Sequence, residues 1–392
     1  MSSLLPRVLG ELLDVTLALT KSTIMKAKNH QKQYIFGSLT RISDLQQHHF
    51  DVKELDRKMW ETGDYVVGQY LGVDDKRIRE KHVEELTNGT LQPLVKGDLV
   101  VGSFGRRAAT QEVVGDWQLI GPDNIMHDIG GSGLFGRETS CSPFYFPSPA
   151  FLYQGHAVRG GRKIKMKDYV PLDTVPSRPP LCPTILLVGT SMSSGKTLTG
   201  RNILSLLQDE GFQRIVVTKL TGCGYYHDIN SSSKDAYAVL DFVDVGLPST
   251  VMPPESYRRE LHKIFGMLSS LQPDCLVVEL GASPWEPYNG VIVLEEIFQD
   301  TSCRPFFVLC ASDAYAVIGF HTLLSEITSA KADVVCGIAT NTLAGRKQIQ
   351  EQTGIGAVCF EDEEGICEIR SLLKQHLATW RCRADAALAG AR

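Results

Sequence analysis

The stretch Ile185–Thr197, ILLVGTSMSSGKT, constrains this chain more than any other. Ile185–Val188 is an apolar run of the kind that forms a buried strand, and Gly189–Gly195 is a loop of small residues. Leu198–Leu207 then carries apolar residues at helical spacing. Strand, small-residue loop and helix in that order are the setting of a phosphate-binding loop. Backbone N–H groups of Gly189, Thr190, Ser191, Ser193, Ser194 and Gly195, with the helix N-terminus behind them, would point at a β-phosphate. Lys196 would reach the β- and γ-phosphates, and the Thr197 hydroxyl would ligate Mg²⁺. The usual pattern places its first glycine where this chain has Thr190, and Gly189 lies one position earlier.

Composition narrows what surrounds that loop. A chain of 392 residues is long for one domain, so two are expected. With 43% hydrophobic and 22% charged residues it suits a globular protein with a sizeable core. A formal net charge of -5 argues against nucleic acid as the main partner. The local basic stretch Arg159–Lys167, RGGRKIKMK, reads as a turn between two strands. The 10 cysteines contain no C-x-x-C pair, the pattern of reduced thiols, and a cytoplasmic location is expected. No His or Cys spacing suggests zinc. Residues 4–20 form the one candidate targeting segment, but Arg7, Glu11 and Asp14 interrupt it, so an amphipathic helix is expected and no membrane span.

Five prolines within Pro171–Pro183 exclude a helix or central strand there and divide the chain. The expected order is a helical extension at 1–45, a β-rich domain at 46–170, a linker at 171–182, a nucleotide-binding domain at 183–378 and a tail at 379–392. In the first half, Gly63–Gly68 (GDYVVG) recurs as Gly97–Gly102 (GDLVVG), which suggests two strands of a small antiparallel sheet or barrel. Between them Asp74–Leu86 reads as a charged helix with Ile78 and Val83 facing inward. Residues 121–150, dense in Gly, Pro and Ser, suit either a loop over a site or an ordinary surface loop. Arg106, Arg107 and Arg137 could reach a phosphate or carboxylate, or could be solvated surface groups. Asp235–Val245 has a helix-like pattern, and His227-Asp228 could serve acid/base chemistry or simply face solvent.

The shifted form GTxxxxGKT resembles dethiobiotin synthetase and its relatives among the P-loop ATPases. The resemblance extends to Lys219-Leu-Thr-Gly222 after the second strand and to Glu279-Leu-Gly-Ala-Ser283 after the third. It continues through Ser312-Asp313 after the fourth strand to Thr340-Asn341 after a fifth, Val334–Ala339. Asp235-Ala236, Leu240–Val243, Val278-Glu279 and Tyr288-Asn-Gly290 also resemble a P-loop family that includes a D-glutamate N-acetyltransferase. Both resemblances cover the C-terminal half alone. They imply that Lys219 and its turn face a substrate, that Glu279 helps hold Mg²⁺, and that Asn341 reads an adenine edge.

The expected fold is therefore α/β, a doubly wound and mostly parallel sheet preceded by a smaller β-rich domain, with ligands across the carboxyl ends of the strands. The expected function is an ATP- and Mg²⁺-dependent enzyme, a ligase or transferase. It would activate a small carboxylate- or amine-bearing metabolite through Lys196, Lys219 and Glu279. Two alternatives stand beside it: an acetyl-coenzyme A-dependent N-acetyltransferase acting on an amino acid, and a nucleotide-dependent switch or assembly factor. A homodimer is expected from the P-loop relatives.

Overall fold

The computed structural model describes residues 34–72, 82–172, 174–299 and 304–390. The N-terminal half is a sheet wound into a closed ring. Tyr65–Tyr70 and Leu99–Phe104, the two glycine-bounded strands, pair antiparallel with Tyr65 opposite Ser103. Ala150–Arg159 pairs with the first of them and with Ile125–Asp128, which pairs with Leu134–Cys141. That last strand returns to Leu99–Phe104 in parallel, closing the ring. Trp60, Val66, Phe104, Phe135, Phe151 and Tyr153 form an apolar cluster within this half. The basic stretch is the expected turn: Arg159 pairs with Arg162, and Gly160 and Gly161 both take the left-handed conformation a two-residue hairpin needs.

The C-terminal half holds β1 (Thr184–Gly189), β2 (Ile215–Thr221), β3 (Ala238–Asp241), β4 (Cys275–Leu280), β5 (Phe306–Cys310) and β6 (Val334–Cys336). They lie in the order β3-β2-β4-β1-β5-β6, every pairing parallel. The longer helices are α1 (Lys196–Asp209), α2 (Pro254–Ser270), α3 (Gly290–Phe298), α4 (Ala314–Leu324), α5 (Leu343–Thr353) and α6 (Glu363–Gly390). Strand alternation sends Ile185 and Leu187 of β1 to one face, against Ile203 and Leu207 of α1 and Leu373 of α6. Leu186 and Val188 face the other way, into a cluster with Leu261 of α2, Val293 of α3 and Val317 of α4. Helices on both faces of a parallel sheet make the fold α/β and doubly wound, as expected.

The two halves share a core. Leu39, Tyr65 and Met166 belong to the same buried cluster as Val243, Leu247 and Tyr257. Arg41 pairs with Asp241 at the edge strand β3, and the Ala108 N–H donates to the Tyr288 hydroxyl at 3.1 Å.

Several expectations are corrected. The segment 34–45, expected as part of a helical extension, instead enters the sheet through Tyr34–Phe36, which pairs with Leu99–Val101. The candidate helix at 4–20 lies outside the described residues. So does most of the helix expected at Asp74–Leu86, but its end, Val83–Glu85, is a strand paired with Leu91–Pro93, and Val83 is exposed. Within Asp235–Val245, Ala238–Asp241 is a strand because it completes the edge beside β2, and a 3-10 turn follows. The fifth expected strand stops at Cys336, because Gly337 turns the chain at φ +87°. Helix α6 continues past residue 378 to Gly390, so the expected tail is helical over its described residues, 379–390. Among the described residues no helix is long and apolar enough to cross a membrane.

Candidate functional site

The loop after β1 carries its predicted residues at the carboxyl edge of the sheet. Ser193 and Gly195 both have positive φ, +55° and +100°, which curls the loop before α1 begins at Lys196. The buried Lys196 ammonium lies back across the loop and donates to the Ser191 carbonyl at 2.9 Å. It passes so close to Gly189 that a Cβ there would stand 2.5 Å from Nζ, so a larger residue would displace the lysine side chain. The departure at Thr190 has its own use. Its hydroxyl accepts the Ser312 N–H at 3.1 Å, tying the loop to the end of β5. Gly337, beyond β6, packs against the Ser194 carbonyl, where a Cβ would come within 2.1 Å.

Glu279 ends the apolar run of β4, next to β1, and both its oxygens lie 3.4 Å from the Thr197 hydroxyl. Burial is the main cause that pushes the Glu279 carboxyl up to about 7; the Asp228 carboxylate adds to it, and the Lys196 and Lys219 ammoniums oppose it. Lys219, on β2, is buried and donates to Asp228 and, at 3.4 Å, to the Cys223 carbonyl. Burial works against its charge, but Asp228 and Glu279 outweigh that and raise its pKa. Burial lowers the pKa of Lys196, with Glu279 pulling the other way. The turn after Glu279 is tight: Ala282 sits at φ +58°, and a Cβ on Gly281 would stand 2.2 Å from the Thr221 carbonyl. A non-glycine residue held there stores strain at the cleft wall.

These groups line one cleft of about 690 Å³. The C-terminal half contributes Ser193 to Leu198, Lys219, Asp228, Glu279 and Tyr288; the N-terminal half contributes Arg107, Asp128, Tyr145 and Phe146. Part of the Gly- and Pro-rich segment 121–150 thus does border the site. Arg107 faces the cleft while paired with Glu112, whereas Arg106 and Arg137 pair with Asp116 and Asp123 elsewhere. Asn341 is exposed and is not part of this lining. Asp228 lines the cleft and His227 does not. Sequence reasoning did not single out Asp128 or Cys223, and it named Tyr288 only within the resemblance carried by Tyr288-Asn-Gly290. Asp128 lies within the segment 121–150, and Cys223 stands just after the Lys219–Gly222 turn.

Mg²⁺ fits the donors present. A hydroxyl and a carboxylate oxygen are hard ligands, and Mg²⁺ takes one or two protein oxygens and completes its shell with phosphate and water. Among the described residues no group of three or more His, Cys, Asp or Glu side chains is placed to hold a metal. A site at Thr197 and Glu279 would therefore depend on ligand oxygens.

No protein-family model matches the chain, and no curated protein matches it. Among solved structures it is similar to a LAO/AO transport system kinase, at 13% identity and a TM-score of 0.32, covering 54% of this chain and 68% of that one. It is similar to a ParA family ATPase from Chlorobium tepidum, at 15% identity and TM-score 0.29, covering 53% of this chain and 98% of that one. It is also similar to the cell division protein FtsY of Thermotoga maritima, at 13% identity and TM-score 0.33, covering 54% and 74% respectively. Similarity of this extent assigns the chain to no family.

Proposed function

We propose that the chain is a Mg²⁺- and ATP-dependent enzyme that transfers a phosphoryl group to activate a small carboxylate- or amine-bearing metabolite. The observation that carries this is the opening of the phosphate loop into a cleft walled on its far side by the N-terminal half. Such a cleft has room for a triphosphate tail and a second, small reactant side by side.

The residues then divide the work. Lys196 exchanges its bond to the Ser191 carbonyl for phosphate oxygens, and loop N–H groups surround the β-phosphate. Thr197 and Glu279 hold Mg²⁺, which supplies charge neutralisation at the phosphates when bound. Lys219, at the end of β2, faces the cleft beside Gly222 and positions the acceptor for attack. A buried ammonium so placed also stabilises negative charge that develops on the transferred group.

The test is turnover. Parent protein with Mg²⁺ and ATP should release ADP in the presence of a member of a panel of small carboxylates and amines, and Lys219→Ala should lose the stimulation. Stabilisation by acetyl-coenzyme A, with none by ATP and Mg²⁺, would replace phosphoryl transfer by acetyl transfer as the chemistry of this cleft.

A further inference from the structure

Asp228 is the counter-charge of Lys219, yet it stands on a helix of a single turn, His227–Asn230. One turn of helix has almost no stability of its own. What holds it comes from the other half of the molecule. The Tyr226 N–H donates to Glu85 Oε2 at 2.8 Å and the His227 N–H to Glu85 Oε1 at 2.7 Å, across 141 and 142 residues of sequence. Ser38 donates its hydroxyl to the same carboxylate, which is wholly buried. Strand alternation sends the neighbouring Glu84 away from this turn, towards Gly37. Both oxygens of Glu85 are thus committed to the turn that carries Asp228.

We propose that Glu85 is a positioning residue of the cleft, holding Asp228 on the Lys219 ammonium from across the two halves. The acceptor-side lysine would then be set in its working state only when the N-terminal half is docked. The importance given to Lys219 rests on the phosphoryl-transfer function proposed above, but the geometry of Glu85, Asp228 and Lys219 does not.

Pulse acetylation with acetic anhydride, followed by mass spectrometry, tests this on the full chain. The parent, Glu85→Gln, Asp228→Asn and the double variant are compared, with exposed Lys347 as internal reference and Lys196 as a second cleft lysine. Glutamine can accept through one atom where glutamate accepts through two, so it should release the turn. Loss of the counter-charge leaves more free amine at Lys219, so each single variant should acetylate it about three- to tenfold faster. The double variant should match Asp228→Asn, because Glu85 acts through Asp228. Ser38→Ala, a milder change, should give a smaller acceleration in the same direction. The proposal is overturned if Glu85→Gln and Ser38→Ala leave Lys219 at the parent rate, if the two single effects multiply, or if Lys196 accelerates equally. It is overturned as well if Asp228→Asn has no effect. ATP and Mg²⁺ binding is measured on the same samples: its absence from the parent would sink the proposed function and leave the labelling result standing.

Discussion

The Thr197 hydroxyl lies 3.4 Å from both carboxylate oxygens of Glu279, joining the first turn of α1 to the end of β4. The two side chains face each other because β1 and β4 are neighbours, with Leu187 opposite Glu279 in the register. A hydroxyl and a partly buried acid thus meet at the mouth of the loop that follows β1.

Glu279 should give opposite pH signatures for folding and for binding. Its folded value of about 7 lies above its ordinary 4.5. The folded chain therefore holds this proton more tightly, and the stabilisation is full below about 4.5 and lost as pH rises through about 7. Mg²⁺-dependent nucleotide binding needs the ionised form and should strengthen over the same interval. Glu279→Gln should raise the stability of the ligand-free protein at pH 8 by roughly 1–3 kcal/mol and abolish the effect of Mg²⁺. Urea melts and nucleotide titrations at pH 6 and 8 check both signs.

Thr190 should resist replacement by the glycine of the usual motif. Thr190→Gly removes the acceptor for the Ser312 N–H and frees the backbone, costing roughly 1–2 kcal/mol. Thr190→Ser keeps the hydroxyl and should stay within about 0.5 kcal/mol of the parent. Thermal denaturation of the two variants distinguishes them.

Gly337→Ala should injure the Gly189–Thr197 loop from a distance. Its Cβ would stand 2.1 Å from the Ser194 carbonyl, at a φ of +87°. Strain of about 1–3 kcal/mol and a displaced loop are expected, with nucleotide affinity down tenfold or more, about 1.4 kcal/mol. Gly319→Ala on α4, where a Cβ meets nothing within 4 Å, is the control and should be neutral or stabilising by about 0.5–1 kcal/mol.

Arg41→Ala should loosen the two halves in a pH-dependent way. It strands the buried Asp241 carboxylate, at a cost of about 3–5 kcal/mol. Burial, with Asp241 beside it, pushes the neighbouring Asp244 up to about 6. A folded value above the ordinary one favours the fold at low pH and loses that contribution as pH rises through about 6. Arg41 opposes that rise, so its loss pushes the Asp244 carboxyl up further, and the variant should be more destabilised at pH 8 than at pH 5, as denaturant melts at the two values would show.

The parts of the site legible in the sequence were those carried by short local patterns. Ile185–Thr197 announces strand, loop and helix within 13 residues, and Lys219 and Glu279 each end an apolar run, so both fall at the carboxyl edge of the sheet. Ala238–Asp241 was misread because a short apolar segment has no period long enough to separate strand from helix, and pairing with β2 decides it. Asn341 was placed correctly after the last strand, but the turn at Gly337 leaves it exposed and outside the lining of the cleft. The contribution of the N-terminal half was legible in part: Arg107 and the Gly- and Pro-rich segment 121–150 stood out as candidates, and both border the cleft. Glu85 did not, because it supports the cleft through hydrogen bonds to Tyr226 and His227, more than 100 residues away, for which local pattern carries no signal.

The central claim is that the Gly189–Thr197 loop holds the phosphates of ATP with Mg²⁺. Isothermal titration of ATP into the parent and into Lys196→Ala, each with and without Mg²⁺, tests it most directly. The parent should bind with Mg²⁺ and much more weakly without it, and Lys196→Ala should lose at least about 100-fold in affinity, some 2.7 kcal/mol. Its unliganded fold should remain intact, since the ammonium makes one hydrogen bond there. A parent that ignores ATP, or a Lys196→Ala variant that binds it as well as the parent does, would contradict the claim.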